Sequence, residues 1–306
     1  MRVKGDLQKQ DVGLRGPKAF GWKLLIPVLV MFAALNILPT LWMLGLSFND
    51  YKLTSANPPK FVGILNYKNF LSDQQVSHDI NRTFIFLFVT IILQTSIGIL
   101  IGVLFWRNDK LRGRRIALTM LFTPMVITPV ASALFWKLIL DPNFGVGSYL
   151  IQQLGGTKLD FLTSPQWAFP ALVVVDTWMW TPFMALMTLA ALGSVPKAEL
   201  EAAAVDRLPL FTIIKTVVWP HAKFILMLGI LLRSIDAFKT MDLAFIMTKG
   251  GPGDKTELIA ISLYRYAFNS FNLGYASAMS VFLMLVAIAL TSIYLFVLNA
   301  KRKEVE

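Results

Sequence analysis

Residues 192–220 read Leu192-Gly-Ser-Val-Pro196-Lys-Ala-Glu-Leu-Glu201-Ala-Ala-Ala-Val-Asp206-Arg-Leu-Pro209-Leu-Phe-Thr-Ile-Ile-Lys-Thr-Val-Val-Trp219-Pro220, a polar insert between two long apolar segments. Proline is tolerated in the first turn of a helix and disfavoured later, so Pro196 marks a start. Lys197 to Val205 are mostly strong helix formers, with acids early in the run. Pro209 marks a second start. Phe211, Ile214, Val217 and Val218 follow at helical spacing, and Pro220 is expected to close this second helix. Two short helices carrying Glu201 and Asp206 on a chain otherwise built for lipid point to a segment held out for a partner. The plainer alternative is an amphipathic loop lying on the membrane surface.

The rest of the chain settles the class. Of 306 residues, 56% are hydrophobic and only 15% charged, with a mean hydropathy of +0.61. A soluble domain carries nearer a quarter charged residues. Six stretches approach or exceed the ~20 apolar residues needed to cross a bilayer, at 24–46, 83–106, 116–138, 169–192, 222–247 and 276–298. The expected fold is all-α: a polytopic membrane protein of six transmembrane helices. The expected organisation is an N-terminal tail over 1–19, a membrane domain over 20–300 containing the loop 193–221, and a C-terminal tail over 301–306. Eighteen Lys and Arg fall in the two termini, the second loop and the fourth loop, against eight in the remaining loops. By the positive-inside rule both termini and the Glu201 loop face the cytoplasm. The net charge of +11 is absorbed by this asymmetry and does not indicate nucleic acid. The N-terminus lacks a cleavable signal pattern, so the first span reads as a retained anchor. Cysteine is absent, which removes disulfide and thiolate chemistry.

Polar residues inside the spans are the candidates for function. In the third span, Thr123-Pro124 and Thr128-Pro129 are expected to break the helix, and irregular backbone at membrane depth lines a cavity or is buried in protein. In the fourth, Asp176, Met179, Trp180 and Phe183 share one helix face, and a carboxylate in a span calls for a cavity or a partner. In the fifth, Arg233, Asp236 and Thr240 share a face with Lys239 on its flank. Arg233 and Asp236, one turn apart, can offset each other. This set reads either as an internal ion pair fixing the bundle or as part of a polar pathway.

The 192–220 segment resembles the EAA loop of permease subunits in binding-protein-dependent ABC importers. The likeness rests on the Val-Pro start, Glu201-Ala202-Ala203, Asp206 five residues after the glutamate, and the closing proline. Further stretches resemble the carbohydrate branch: Ser47–Tyr51, Phe61–Tyr67, and Thr248-Lys-Gly-Gly-Pro252 with Gly274-Tyr275-Ala276. The pattern departs from the family where Arg207-Leu208-Pro209 stands in place of the usual Gly-Ala. Glycine would give a left-handed turn without steric cost.

The resemblance implies a type I ABC importer permease fold in a bacterial inner membrane. It implies half of a pathway for a sugar, polyol or glycerol-phosphate solute. Partners would be a second permease, two ATPase subunits that bind the ATP, and an extracytoplasmic solute-binding protein. It places Glu201, Ala202, Ala203, Asp206 and Arg207 at the ATPase contact. It also places Asp176, Met179, Trp180, Arg233, Asp236, Ala237 and Thr240 at solute-facing positions. No catalytic, cofactor or metal site is expected: only His78 and His221 are present, and the glycines near 250 lack the Lys-Ser/Thr of a phosphate loop. The competing readings are a secondary transporter, which leaves the Glu201 loop unexplained, and a membrane enzyme using Asp176 and Asp236 as an acid pair.

Overall fold

The computed structural model describes residues 18–108, 112–153 and 159–302. Most of the expected tails, 1–17 and 303–306, lie outside them. The described chain is helical almost throughout. Its elements are α1 (Lys18–Phe32), α2 (Leu38–Ser47), α3 (Leu65–Ser72), α4 (Gln74–Arg107), α5 (Arg114–Val126), α6 (Pro129–Ile139), α7 (Val146–Gln153), α8 (Ala168–Gly193), α9 (Lys197–Val205), α10 (Leu210–Ile213), α11 (Trp219–Phe238), α12 (Asp242–Thr248), α13 (Ile259–Tyr264) and α14 (Leu273–Arg302). A two-residue antiparallel pair, β1 (Asn49–Asp50) with β2 (Lys60–Phe61), ties down the first outer loop. Five helices are long and apolar enough to cross a membrane, and a bent sixth span is formed by α5 and α6.

The bundle is built around α4 against α8. Small residues one turn apart on α4 let the two helices approach. A β-carbon at Gly98 would lie 2.6 Å from Met184 Cβ, and one at Gly102 would lie 2.6 Å from Thr188 Cβ. This is how membrane helices associate where apolar burial alone gives no preference over lipid. Two buried hydroxyls on these helices are satisfied by their own backbone: Thr90 donates to the Phe86 carbonyl at 2.8 Å and Thr188 to that of Met184 at 2.8 Å.

The prolines act differently from the simplest expectation. Pro124 stays within α5, and the break comes only at Thr128-Pro129, where α5 and α6 meet at 100°. Thr128 is extended and its hydroxyl accepts from Ala131 N at 3.4 Å, so it caps the new helix. Pro220 does not end the insert's second helix. A π-turn over Ile214–Val218, closed by Trp219 N–H on the Ile214 carbonyl, comes just before it, and Leu210–Phe238 runs as one 29-residue helix. The wide turn accommodates a ring that cannot donate its own hydrogen bond. The same device precedes Pro39, at Ala33–Ile37. The fifth span therefore begins earlier than expected and stops at Phe238, with α12 a separate short helix instead of its last two turns.

At the outer end, the loop after α12 is fastened to the top of α4. Arg82 bridges Asp79 at 2.9 Å and the Glu257 carbonyl at 3.1 Å. Thr83 Oγ accepts from Ile259 N at 2.9 Å. Ser262 touches both Asp79 and Glu257, and Arg265 lies 3.1 Å from Glu257. Gly250, at φ 86°, takes the left-handed turn that starts the Gly-Gly-Pro segment.

Burial raises the Glu257 carboxyl above its ordinary value, against the lowering effect of Arg265. A carboxyl raised in the fold holds a proton that the unfolded chain has already released. Its contribution is thus full below the ordinary glutamate range and is lost as pH climbs through the raised value. The thermal midpoint of the purified chain is expected to fall as pH rises from the acid side through that window. Glu257→Gln should flatten the fall, and a slope unchanged by the substitution would show that Glu257 is not its source.

Candidate coupling loop and transmembrane pathway

Two places in this fold concentrate the polar groups singled out in the sequence. The first is the inner loop. Pro196 is extended and α9 follows it, ending in a Schellman turn: Arg207 N–H meets the Ala204 carbonyl at 3.1 Å and Leu208 N–H meets that of Ala203 at 3.1 Å. Arg207 adopts φ 50°, the left-handed conformation for which glycine is the usual residue. The departure from the family pattern thus leaves the turn in place and adds backbone strain of about 1 kcal/mol. Leu200, Ile213 and Val217 pack the loop onto a cluster formed by Leu192, Val195, Val218, Ala222 and Leu226. Of the residues singled out in the sequence, Ala203 is buried against the chain, while Glu201, Ala202, Asp206 and Arg207 are exposed. Beside them stand Val205, Leu210 and Phe211, 80%, 63% and 76% exposed. An apolar patch edged by two carboxylates is left uncovered. A second link went unnoticed in the sequence: Glu199 on α9 pairs with His221 on α11 at 3.0 Å.

The second place lies inside the bundle. Arg233 is 1% exposed, and its guanidinium is engaged on every nitrogen. Nε donates to Gln94 Oε1 at 2.8 Å, Nη1 to Asp236 at 3.0 Å, and Nη2 to Asp176. Gln94 also donates to Asp176 Oδ2 at 2.8 Å, so α4, α8 and α11 meet at one charged knot. The Trp180 ring lies 5.0 Å from the Arg233 guanidinium carbon, within cation–π range. Gln94 was not among the predicted pathway residues. An amide within a span needs an interhelical partner, and that was the available signal.

Beside the knot is a cavity of about 170 Å³, walled by Asp176, Met179, Trp180, Asp236 and Thr240 with Pro129 from the broken span. Five of the seven predicted pathway residues therefore converge. Arg233 stands behind the wall and Ala237 does not reach the cavity. Ala237 is buried among Leu87 and Phe238 instead.

Comparison with known proteins gives the chain its family. Residues 94–304 match the family described as "Binding-protein-dependent transport system inner membrane component". The chain belongs to this family. It is a permease subunit, a transport component and not an enzyme. The permease is 30% identical, over 92% of its own length and 94% of the relative's, to the trehalose/maltose transport system permease protein MalF of Thermococcus litoralis. It is 29% identical, over 76% of its length and 78% of the relative's, to the sn-glycerol-3-phosphate transport system permease protein UgpA of Brucella abortus. Among solved structures, the permease superposes with a TM-score of 0.78 on a chain of a bacterial ABC transporter for the acidic polysaccharide alginate. That match is at 20% identity and covers 94% of this chain and 96% of the other.

Proposed function

We propose that this permease forms half of the pathway of an ATP-driven importer for a carbohydrate or polyol, coupled to its ATPase through the exposed face of α9 and α10. The observation that carries the reading is the unbroken helix Leu210–Phe238. At one end it bears the uncovered apolar patch beside Glu201 and Asp206, and near the other it bears Arg233 and Asp236 beside the cavity. ATP is held by the partner ATPase pair, whose closure pulls on α9. Glu201 makes the main polar contact there and Asp206 holds the turn. A second permease completes the pathway, and an extracytoplasmic binding protein delivers solute to the outer loops. The likeness to permeases of trehalose/maltose and glycerol-phosphate transport systems supports a solute of the hydroxyl-rich class.

In proteoliposomes holding both permeases and the binding protein, solute uptake is expected only when the ATPase pair and ATP are present on the loop side. Uptake that persists without the ATPase under an ion gradient would favour a secondary transporter instead.

A further inference from the structure

The relatives include carriers of neutral and of anionic solutes, and the wall of the cavity distinguishes between the two. Three carboxylates border it (Asp176, Asp236 and Asp242) against one ammonium, Lys239. Arg233, the cation an anionic solute would seek, is not part of the wall. It is 1% exposed, committed to Gln94, Asp236 and Asp176, and covered by Trp180. Lys239 in turn has Asp236 at 3.9 Å.

A second, independent feature concerns Asp176 alone. Its residue is completely buried, yet Oδ1 makes no hydrogen bond within the described residues, although Oδ2 has both Gln94 and Arg233. A buried polar atom without a partner is costly, and a carboxylate oxygen is satisfied only by a donor. The wall thus offers acceptor oxygens beside an indole ring, which suits a solute presenting hydroxyl donors and an apolar ring face. An anionic group there would meet three carboxylates against the two cations already paired with Asp176 and Asp236, an excess of one negative charge.

We infer that this chain's part of the pathway admits neutral, hydroxyl-donating solutes and excludes anions, with Asp176 Oδ1 and Asp236 as the acceptors. The inference rests on the pathway reading above. Repulsion from a single nearby carboxylate at an effective dielectric of about 20 corresponds to roughly a tenfold or greater loss of affinity for an anion.

The test uses the assembled transporter in nanodiscs, with Trp180 emission isolated by subtracting the Trp180→Phe complex. It is titrated with three hexoses of matched shape: glucose (neutral), glucuronate (anionic) and glucosamine (cationic). Glucose is expected to bind at least about tenfold more tightly than glucuronate, and Asp236→Asn should narrow that ratio by strengthening glucuronate. Glucosamine, whose ammonium the carboxylates attract, should bind at least as tightly as glucose; glucuronate binding as tightly as glucose overturns the selectivity and leaves the pathway standing. No response of Trp180 to any of the three, in a complex whose ATPase still answers to its binding protein, overturns the pathway and the selectivity together.

Discussion

Arg233→Ala is expected to remove most of the folded chain from the membrane, because it strands a buried carboxylate. Asp176 lies at the meeting of α4, α8 and α11, and Arg233 is its charge partner. Removing one member of such a pair leaves an uncompensated charge at a cost of about 3–5 kcal/mol, which is a large part of a typical folding stability. The measurement is the yield of monodisperse chain and its thermal midpoint in detergent. Asp176→Ala with Arg233→Ala should recover part of the loss, since neither charge is then stranded. Asp236→Asn should fold nearly normally, because Asp236 is partly exposed and has Lys239 nearby. If Arg233→Ala folds as well as the parent, the knot does not hold the bundle together.

Glu201→Lys should give the opposite phenotype: a chain that inserts, folds and assembles, but does not drive its ATPase. Glu201 is exposed on α9 and makes no ion pair within the described residues, so the fold loses little. Charge reversal at a docking surface puts like charges together and leaves the partner's group unpaired, for which the usual cost is 2–5 kcal/mol. Stimulation of ATP hydrolysis by the loaded binding protein should therefore fall by more than about tenfold, with purification yield unchanged. Parent-like stimulation in this variant would detach Glu201 from coupling. The exposed Phe211 offers a second reading of the same surface, since Phe211→Asp should produce the same separation.

The spans were legible because bilayer thickness imposes a length that composition reveals directly. Pro196 and Pro209 also marked true helix starts. What failed was the reading of proline as a stop. Pro220 needs only that its neighbours give up one hydrogen bond, and a π-turn does this without ending the helix. Arg207 shows a second limit: the preference of the left-handed region for glycine is small enough for a capped helix end to override it.

The candidate site was half legible. Asp176, Arg233 and Asp236 stand out because charges in spans are costly. Gln94 is uncharged and so did not stand out, although it holds the knot to α4. The outer fastening was invisible, because Ser262 meets Asp79 across 183 residues of chain and no local pattern announces such a pairing.

The unbroken helix from Leu210 to Phe238 has a mechanical corollary. At 1.5 Å per residue, the axial distance from Phe211 to Arg233 is about 33 Å, so a tilt of roughly 10° hinged at the inner surface would swing the guanidinium by about 6 Å. A stiff lever of that length needs no relay of side chains. It also leaves no slack, so any stroke delivered at the inner surface is felt at the buried charges at once.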